Sequence, residues 1–201
     1  YIFIRINSGG TILSYSDLLL SIATAQWEEK DAREEITKFV DEINNVRSGF
    51  KFNKDFVLKS CLVLSDFSDI AFKVDNFNKS NMLIIESNWE KISKAIRLAV
   101  ELVASFGYSR ETLMSNNAII PIAYYLFKKE STDSFISTDS AKEDKNTIKK
   151  WLVLSLTKRA FSGQPDNVLR PIRKLIADNI NNGYPTDKII ENFKGTNKTL
   201  V

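Results

Sequence analysis

The 201-residue chain contains no histidine and only one cysteine, Cys61. Without histidine, neither a Ser-His nor a Cys-His catalytic pair can be built, and zinc sites that combine cysteine with histidine are excluded as well. A single cysteine allows no disulfide within the chain, which agrees with a reducing compartment, so we expect a cytoplasmic protein. Cys61 stands among aliphatic residues and is expected to be a small buried side chain.

The chain also has few residues that break helices, with seven glycines and four prolines. It has no Walker A phosphate loop and no apolar run near the ~18 residues that a membrane span requires. Hydrophobic residues make up 43% and charged residues 26% of the chain, as in ordinary globular proteins. These features predict an all-α fold, an irregular bundle of about seven to eight helices in one domain over residues 1–201. A short strand is the alternative for residues 1–6.

Apolar residues at three- and four-residue spacing predict the individual helices. The clearest helix follows Ser87 and Glu90, which together form a capping box. Asn53 is expected to cap an earlier helix, and Asp166 a later one. Helices are predicted over residues 15–27, 28–46, 118–127, 147–161, 167–180 and 186–193. Two more are predicted, one after Asn53 that includes Phe56 to Leu64 and one between Ser87 and Gly107.

Two segments lack a helical pattern. Residues 66–81 mix aromatic and polar side chains, and either a short strand or an irregular packed loop fits them. Residues 129–146 are rich in Ser, Thr, Asp and Lys, with only Phe135 and Ile136 as apolar anchors. This composition predicts a flexible loop.

The N-terminal segment combines groups that bind anions. Residues 1–6 are apolar apart from Arg5, and residues 7–10, Asn-Ser-Gly-Gly, form the strongest turn signal in the chain. A helix is predicted to begin near Tyr15, and glycine amides beside a helix N-terminus favour phosphate. The alternative is a purely structural turn in which Arg5 pairs with a carboxylate.

The same segment resembles the F-x-x-x-N segment of the GmrSD-type restriction endonuclease family. The resemblance is carried by Phe3, Asn7, Gly9, Gly10 and Leu13. Weaker similarity extends over most of the chain, in the stretches around Trp89, 115–126 and 160–166. In this family a ParB/sulfiredoxin-like domain with a D-G-Q-Q-R motif precedes the segment, a helical region follows it, and many members end in an HNH-type nuclease domain.

The resemblance implies a function in nucleotide-dependent cleavage of modified foreign DNA, as part of antiviral defence. This chain contains no D-G-Q-Q-R motif and, without histidine, no HNH nuclease, so from the resemblance we expect it to be the helical middle of a longer protein. We expect the parent protein to be an NTP-hydrolysing endonuclease that binds a nucleoside triphosphate, and this part alone to need no cofactor and to carry no catalytic residue. The expected partners are nucleotide, DNA and the D-G-Q-Q-R part of the same protein, with no membrane.

On this interpretation the N-terminal segment contributes one edge of a nucleotide pocket. Arg5 would contact phosphate, the glycine amides would hold it, and Asn7 would orient polar groups around it. The candidate nucleotide-binding residues are Arg5, Asn7, Ser8, Gly9 and Gly10.

The C-terminal third is the basic part of the chain. Residues 142–201 contain 12 Lys/Arg and 6 Asp/Glu, whereas the whole chain contains 28 and 25. Cations on two successive predicted helices could form a surface that contacts DNA phosphates. The candidate residues are Lys149, Lys150, Lys158, Arg159, Arg170, Arg173 and Lys174. The alternative is a solvated basic face.

The second predicted helix has an acidic outer face, formed by Glu34, Glu35, Asp41 and Glu42. A solvated surface is the expected state of such residues, so we predict no metal site. The face also supports an alternative function for the chain, a non-catalytic helical module that docks a partner protein through this surface or through an apolar groove.

Overall fold

A computed structural model of the protein describes residues 15–200, except for the side chain of Ser16, and all regular elements in that range are helical. The predicted all-α fold is confirmed, with nine α-helices in the described range. They are α1 (Tyr15–Gln26), α2 (Ala32–Asn44), α3 (Lys54–Leu64), α4 (Lys79–Ser105), α5 (Ile120–Lys128), α6 (Ser134–Ser137), α7 (Lys142–Thr157), α8 (Asp166–Asp178) and α9 (Thr186–Phe193). The alternative of an N-terminal strand concerns residues 1–6, which lie outside the described range.

The core is organised around α4 and α5. α4 is 27 residues long, and α5 packs against both α4 and α8. Every side chain of α5 from Ile120 to Leu126 is buried, because a helix that is apolar on all sides must be covered on all sides. Pro121 occupies its first turn, as predicted, where its missing N–H costs no helical hydrogen bond.

α5 has only nine residues, and no helix of the described part is both long and apolar enough to cross a membrane.

The longest helix begins earlier than its predicted capping box. α4 starts at Lys79 and is capped by Asn78, so the start predicted at Ser87 is wrong. Ser87 and Asn88 do not end a helix here, because both side chains hydrogen-bond back to the carbonyl of Ile84, at 3.0 and 2.9 Å. Polar side chains that donate hydrogen bonds to carbonyls of the preceding turn are compatible with a helix interior.

The segment predicted as a flexible loop, residues 129–146, contains regular structure. It includes the single turn of α6, a 3₁₀ turn at Asp139–Ala141 and the start of α7 at Lys142. The side chain of Lys145 ties these turns together by donating to the carbonyls of Ile136 and Thr138, at 2.9 and 2.8 Å. Because α6 was not predicted, the described helices outnumber the expected seven to eight.

Between α3 and α4 the chain forms an irregular packed segment, one of the two alternatives for residues 66–81. Its only regular element is a 3₁₀ turn at Val74–Phe77 before α4 begins. Ile70 and Phe77 are fully buried and hold the segment against the bundle. The segment therefore belongs to the core although it has no helical pattern.

The two other predicted caps have different outcomes. Asn53 caps α3 as predicted, since its side chain accepts a hydrogen bond of 3.0 Å from the amide of Phe56. Asp166 is instead the first residue of α8, and Pro165 occupies the capping position without a side-chain hydrogen bond. The carboxylate of Asp166 forms an ion pair with Lys59.

Candidate functional site

The predicted nucleotide-binding residues Arg5, Asn7, Ser8, Gly9 and Gly10 lie outside the described residues. The described chain begins at Tyr15, the first residue of α1, as the sequence predicted. The ring of Tyr15 meets Phe72 edge-on, with 6.1 Å between centroids. The carboxylate of Asp17 lies 3.5 Å from the ammonium group of Lys54. The start of α1 is therefore fixed beside Phe72 and the start of α3.

A pocket of about 590 Å³ lies beside Phe72 and the start of α3. The first turn of α3, the 3₁₀ turn that precedes α5, and the loop that leads into α8 all line it. Its described lining residues are Asn53, Asp55, Phe56, Lys59, Phe72, Asn116, Asn117, Gly163, Gln164, Pro165 and Asp166. Side chains from four distant parts of the sequence thus meet in one pocket.

The pocket lies at the N-terminal ends of helices. The N-terminus of a helix carries a partial positive charge and unpaired backbone N–H groups, so it favours negatively charged or electron-rich ligands. Residues of α3 and α8, together with the turn before α5, present such ends to the pocket. Acidic side chains in the first turns of α3 and α8, Asp55 and Asp166, compensate part of this charge.

Lys59 is the only cation among the described lining residues. Its side chain is buried, with 8% relative exposure, and it contacts the carboxylate of Asp166 and the carbonyl of Ile70. Burial lowers the pKa of Lys59, while Asp166 counteracts the effect by favouring the charged form. The ion pair fixes α3 to the start of α8, and it holds a positive charge at the pocket.

Several polar groups of the pocket have no partner among the described residues. The side chain of Asn117 makes no hydrogen bond, and Gln164 uses only its oxygen, to accept from Asn167 at 3.1 Å. Asp55 forms no ion pair, and its Oδ1 atom is buried without a hydrogen-bond donor. Gln164 is exposed and Asn117 is half-buried, so their unpaired polar atoms are open to a ligand in the pocket.

The candidate DNA-contacting cations do not form one free surface. Lys149 lies over the ring of Phe106, 5.7 Å from its centroid, and Lys150 pairs with Asp187 at 2.7 Å. Arg170 pairs with the carboxylate of an aspartate in the segment between α3 and α4, at 3.0 Å. Among the seven candidates, those whose side chains have no ion pair or hydrogen bond with the described residues are Lys158, Arg159, Arg173 and Lys174.

Of these, Lys158 and Arg159 are neighbours at the end of α7. The backbone of Arg159 has a φ of +49°, which is uncommon for a residue other than glycine. Arg173 is half-buried, and its Nη1 atom has no acceptor. Lys174, on α8, is exposed as well, so the exposed pair at the end of α7 and Lys174 are the parts of the predicted surface that remain available to a phosphate.

The acidic face of α2 is only partly solvated. Glu34, Asp41 and Glu42 are exposed, but Glu35 accepts a hydrogen bond of 2.8 Å from the indole nitrogen of Trp89. Within residues 15–200, no group of His, Cys, Asp and Glu side chains is arranged to hold a metal ion. Glu35 thus serves packing between α2 and α4.

Sequence reasoning missed the carboxylate of Glu86, which is buried and hydrogen-bonded to the backbone. It accepts hydrogen bonds from three successive backbone amides in the turn between α1 and α2: Glu28 at 2.9 Å, Glu29 at 2.8 Å and Lys30 at 2.8 Å. Burial would raise the pKa of Glu86, but these amides hold it below its ordinary value. The signal in the sequence was an acidic residue directly after the apolar run of residues 82–85, in the first part of α4.

No protein-family model matches the chain, and a search of curated proteins found no match either.

Proposed function

We propose that this chain is the helical region of a nucleotide-dependent DNA restriction protein of the GmrSD type, and that its pocket at the helix N-termini binds the nucleotide. One observation carries the proposal. The pocket is lined by two of the stretches in which the sequence resembles that family, through Asn116 and Asn117 in one and residues 163–166 in the other.

The position of the pocket supports the same assignment. Phe72 lines the pocket and contacts Tyr15, and Lys54 stands between two lining residues and pairs with Asp17. Residues 11–14 join Gly10 to Tyr15, and the five peptide units between Gly10 and Tyr15 span at most about 18 Å. We therefore propose that Arg5 and the glycine amides complete the pocket from this side.

Each part of the pocket has a role in the proposal. The helix N-termini and the N-terminal segment hold the phosphates, because backbone N–H groups and positive helix ends stabilise phosphate oxygens. The rings of Phe56 and Phe72 and the amides of Asn117 and Gln164 provide the apolar and hydrogen-bonding surface that a base and a ribose need. Hydrolysis requires groups that the D-G-Q-Q-R part of the parent protein would supply.

The test is a calorimetric titration of the full-length protein with nucleoside triphosphates. Asn117→Ala and Gln164→Ala each remove one pocket amide, and we expect each to weaken binding by roughly 2- to 10-fold, the value of one hydrogen bond. Asn7→Ala is expected to weaken binding in the same way. Asn182→Ala, which removes an exposed amide outside the pocket, serves as the control. Equal affinity of all four variants and the parent would refute the pocket assignment.

A DNA contact is the second part of the proposal, and it is confined to Lys158 and Arg159. We expect the double substitution to alanine to lower the slope of log affinity against log salt by about 2, near 0.9 for each lost phosphate contact. The control is the double substitution of Lys149 and Lys150, which lie on α7 and whose charges already face the ring of Phe106 and the carboxylate of Asp187. A salt slope that is the same in both double variants would remove the DNA role, and a protein that binds neither DNA nor nucleotide would support the interaction module.

A further inference from the structure

Three connections between helices meet at one end of the bundle. Residues 45–53 join α2 to α3, residues 106–119 join α4 to α5, and residues 158–165 join α7 to α8. All three contribute residues to the pocket of about 590 Å³. The side chain of Asn116 donates to the carbonyl of Lys51 at 3.2 Å, which ties the second connection to the first.

The connection between α4 and α5 lies between the other two. On one side, the amide of Arg110 donates to the carbonyl of Gly49 at 2.9 Å. On the other side, Met114 and Arg159 both line a second pocket, of about 260 Å³. The three connections therefore form one continuous part of the protein surface.

This surface carries cations that have no protein partner. The three connections contain five Lys/Arg and one acidic residue, Glu111. All five cations are exposed, and their side chains make no ion pair or hydrogen bond with the described residues. Because cations without counter-ions repel one another, a polyanion that binds across them is stabilised. The five cations are Arg47, Lys51, Arg110, Lys158 and Arg159.

Two of these arginines have a backbone conformation that favours glycine. Arg47 and Arg159 each have a φ of +49°, in the turns that follow α2 and α7. Glycine adopts such a φ without steric cost, whereas a residue with a side chain pays for it in stability. A strained position that carries a long cationic side chain fits a role of that side chain in binding.

Met114 belongs to the connection that lies between the other two. Its side chain is 68% exposed, the highest fraction among the large hydrophobic residues of the described range. Proteins that hold a duplex through its phosphates also insert apolar side chains, methionine among them, into a groove. No aromatic side chain of the three connections is exposed, so the stacking platform typical of single-strand binders is missing there.

We infer that the three connections form one surface for duplex DNA, with their cations on the phosphates and Met114 in a groove. This inference rests on the proposed function, because it extends the DNA contact from the end of α7 to two further connections. Arg47, Lys51 and Arg110 supply the additional phosphate contacts. DNA bound there lies beside the proposed nucleotide site, since the same connections line that pocket.

The first test measures how the affinity of the full-length protein for a random-sequence DNA duplex depends on salt, by fluorescence anisotropy. The triple variant combines Arg47→Gly, Lys51→Ala and Arg110→Ala. We expect it to lower the slope of log affinity against log salt by about 2 to 3, near 0.9 for each lost phosphate contact.

The matched control replaces three exposed cations of α2 and α4 that also lack partners in the described range, by Lys38→Ala, Lys91→Ala and Lys94→Ala. These positions lie outside the three connections, so the salt slope should stay unchanged. An equal loss of slope in both triple variants would overturn the surface, because it would show that any exposed cation has the same effect.

Arg47→Gly alone separates binding from a role in the fold. Since glycine suits the positive φ, the melting temperature should stay the same or rise, while DNA affinity at low salt falls. A lower melting temperature with unchanged DNA affinity would show that Arg47 serves the C-terminal end of α2, where a cation interacts with the helix dipole. That result would overturn its place in the surface.

Met114→Ala tests the groove contact. It should weaken DNA binding by about 10-fold at every salt concentration and leave the slope unchanged, because burial of an apolar side chain releases no counter-ions. Ile84→Ala is the control, since it removes another exposed apolar side chain, on α4. Equal affinity of the Met114 variant and the parent protein would overturn the groove contact.

The remaining outcomes distinguish this inference from the proposed function. If the double substitution of Lys158 and Arg159 lowers the salt slope but the triple variant at Arg47, Lys51 and Arg110 does not, the extended surface is overturned and the contact at the end of α7 stands. Absence of DNA binding by the parent protein would overturn both. Tighter binding of a polyglutamate peptide than of the duplex at the same salt would overturn the inference in favour of an acidic protein partner.

Discussion

Glu86 and Asp55 are carboxylates that are buried and half-buried, respectively, and their surroundings are opposite. Glu86 accepts hydrogen bonds from three successive amides, at 2.8 to 2.9 Å for the shortest contact with each. Asp55 lines the pocket, and its Oδ1 atom is buried without a donor. The turn between α1 and α2 is thus bound by a carboxylate of the protein itself, whereas the pocket contains polar groups without partners among residues 15–200.

The difference separates stability from binding. Saturated polar groups such as those around Glu86 contribute to the free energy of folding, and their removal leaves amides without acceptors. Polar groups without a partner do not stabilise the fold, and those that stay accessible are the ones that a ligand can use. The first region should therefore respond to substitution with lost stability, and the second with lost binding.

The largest expected effect contrasts the two carboxylates directly. Glu86→Ala removes the acceptor of three amides, and we expect it to lower the free energy of unfolding by about 3 kcal/mol. In a protein of this size the melting temperature should then fall by about 6–12 °C. Asp55→Ala should change the free energy of unfolding by less than about 1 kcal/mol, the value of a charge at a helix N-terminus. Equal losses in chemical denaturation of the two variants would contradict the comparison.

A third carboxylate, that of Asp144, extends the comparison. It has hydrogen-bond donors, like Glu86, and it lies close to a glycine, Gly183. Its Oδ2 atom accepts from Tyr125, and its Oδ1 atom accepts from the amide of Tyr184 at 3.2 Å. Gly183 has a φ of +84°, and a Cβ atom there would lie 2.6 Å from Oδ1 of Asp144. We expect Gly183→Ala to lower the free energy of unfolding by about 2 kcal/mol, from backbone strain and from displacement of this carboxylate.

Gly107→Ala is the matched control for that substitution. Gly107 also has a positive φ, +92°, but nothing lies within 4 Å of its added Cβ atom. It should show the backbone strain alone, about 1 kcal/mol. Denaturation curves that give the same loss for both alanine variants would show that Asp144 is not a fixed part of the structure.

The smallest expected effect is the pH dependence of the Glu86 contribution. The pKa of Glu86 is lower in the folded protein than its unfolded value of about 4.3, so its stabilisation is complete above that pH. The stabilisation is lost as the pH falls through the depressed folded pKa. The difference in free energy of unfolding between the parent and Glu86→Gln should therefore shrink from pH 6 to pH 3. A difference that is constant over this range would argue against a charged Glu86.

The sequence predicted the helices where local signals agree with the tertiary packing. The helix over residues 186–193 coincides with α9, and the cap at Asn53 is confirmed. The predicted start at Ser87 failed because a local capping signal was outweighed by the burial of apolar residues in the turns before it. α6 was missed because its single turn is held by Phe135 and by its neighbours, not by its own propensity.

The pocket was not predictable from spacing, since its lining comes from α3, from the segment before α4, and from the loops before α5 and α8. The role of Lys59 could not be predicted either, because its ion pair with Asp166 joins two positions that are far apart in the sequence. The resemblance in residues 115–126 and 160–166 named two of the lining stretches without showing that they meet. Which of the candidate cations are paired and which are free also depends on partners, such as Asp187, that lie elsewhere in the chain.

The hydrogen bonds to Glu86 also have a consequence for how the chain folds. Glu28 and Glu86 are 58 positions apart, so the turn between α1 and α2 obtains its acceptor only after α4 has docked. Contacts between such distant positions require a large loop to close first, which makes them late events. In hydrogen-exchange experiments, the amides of residues 28–30 should therefore gain protection together with α4, and later than the amides inside α2.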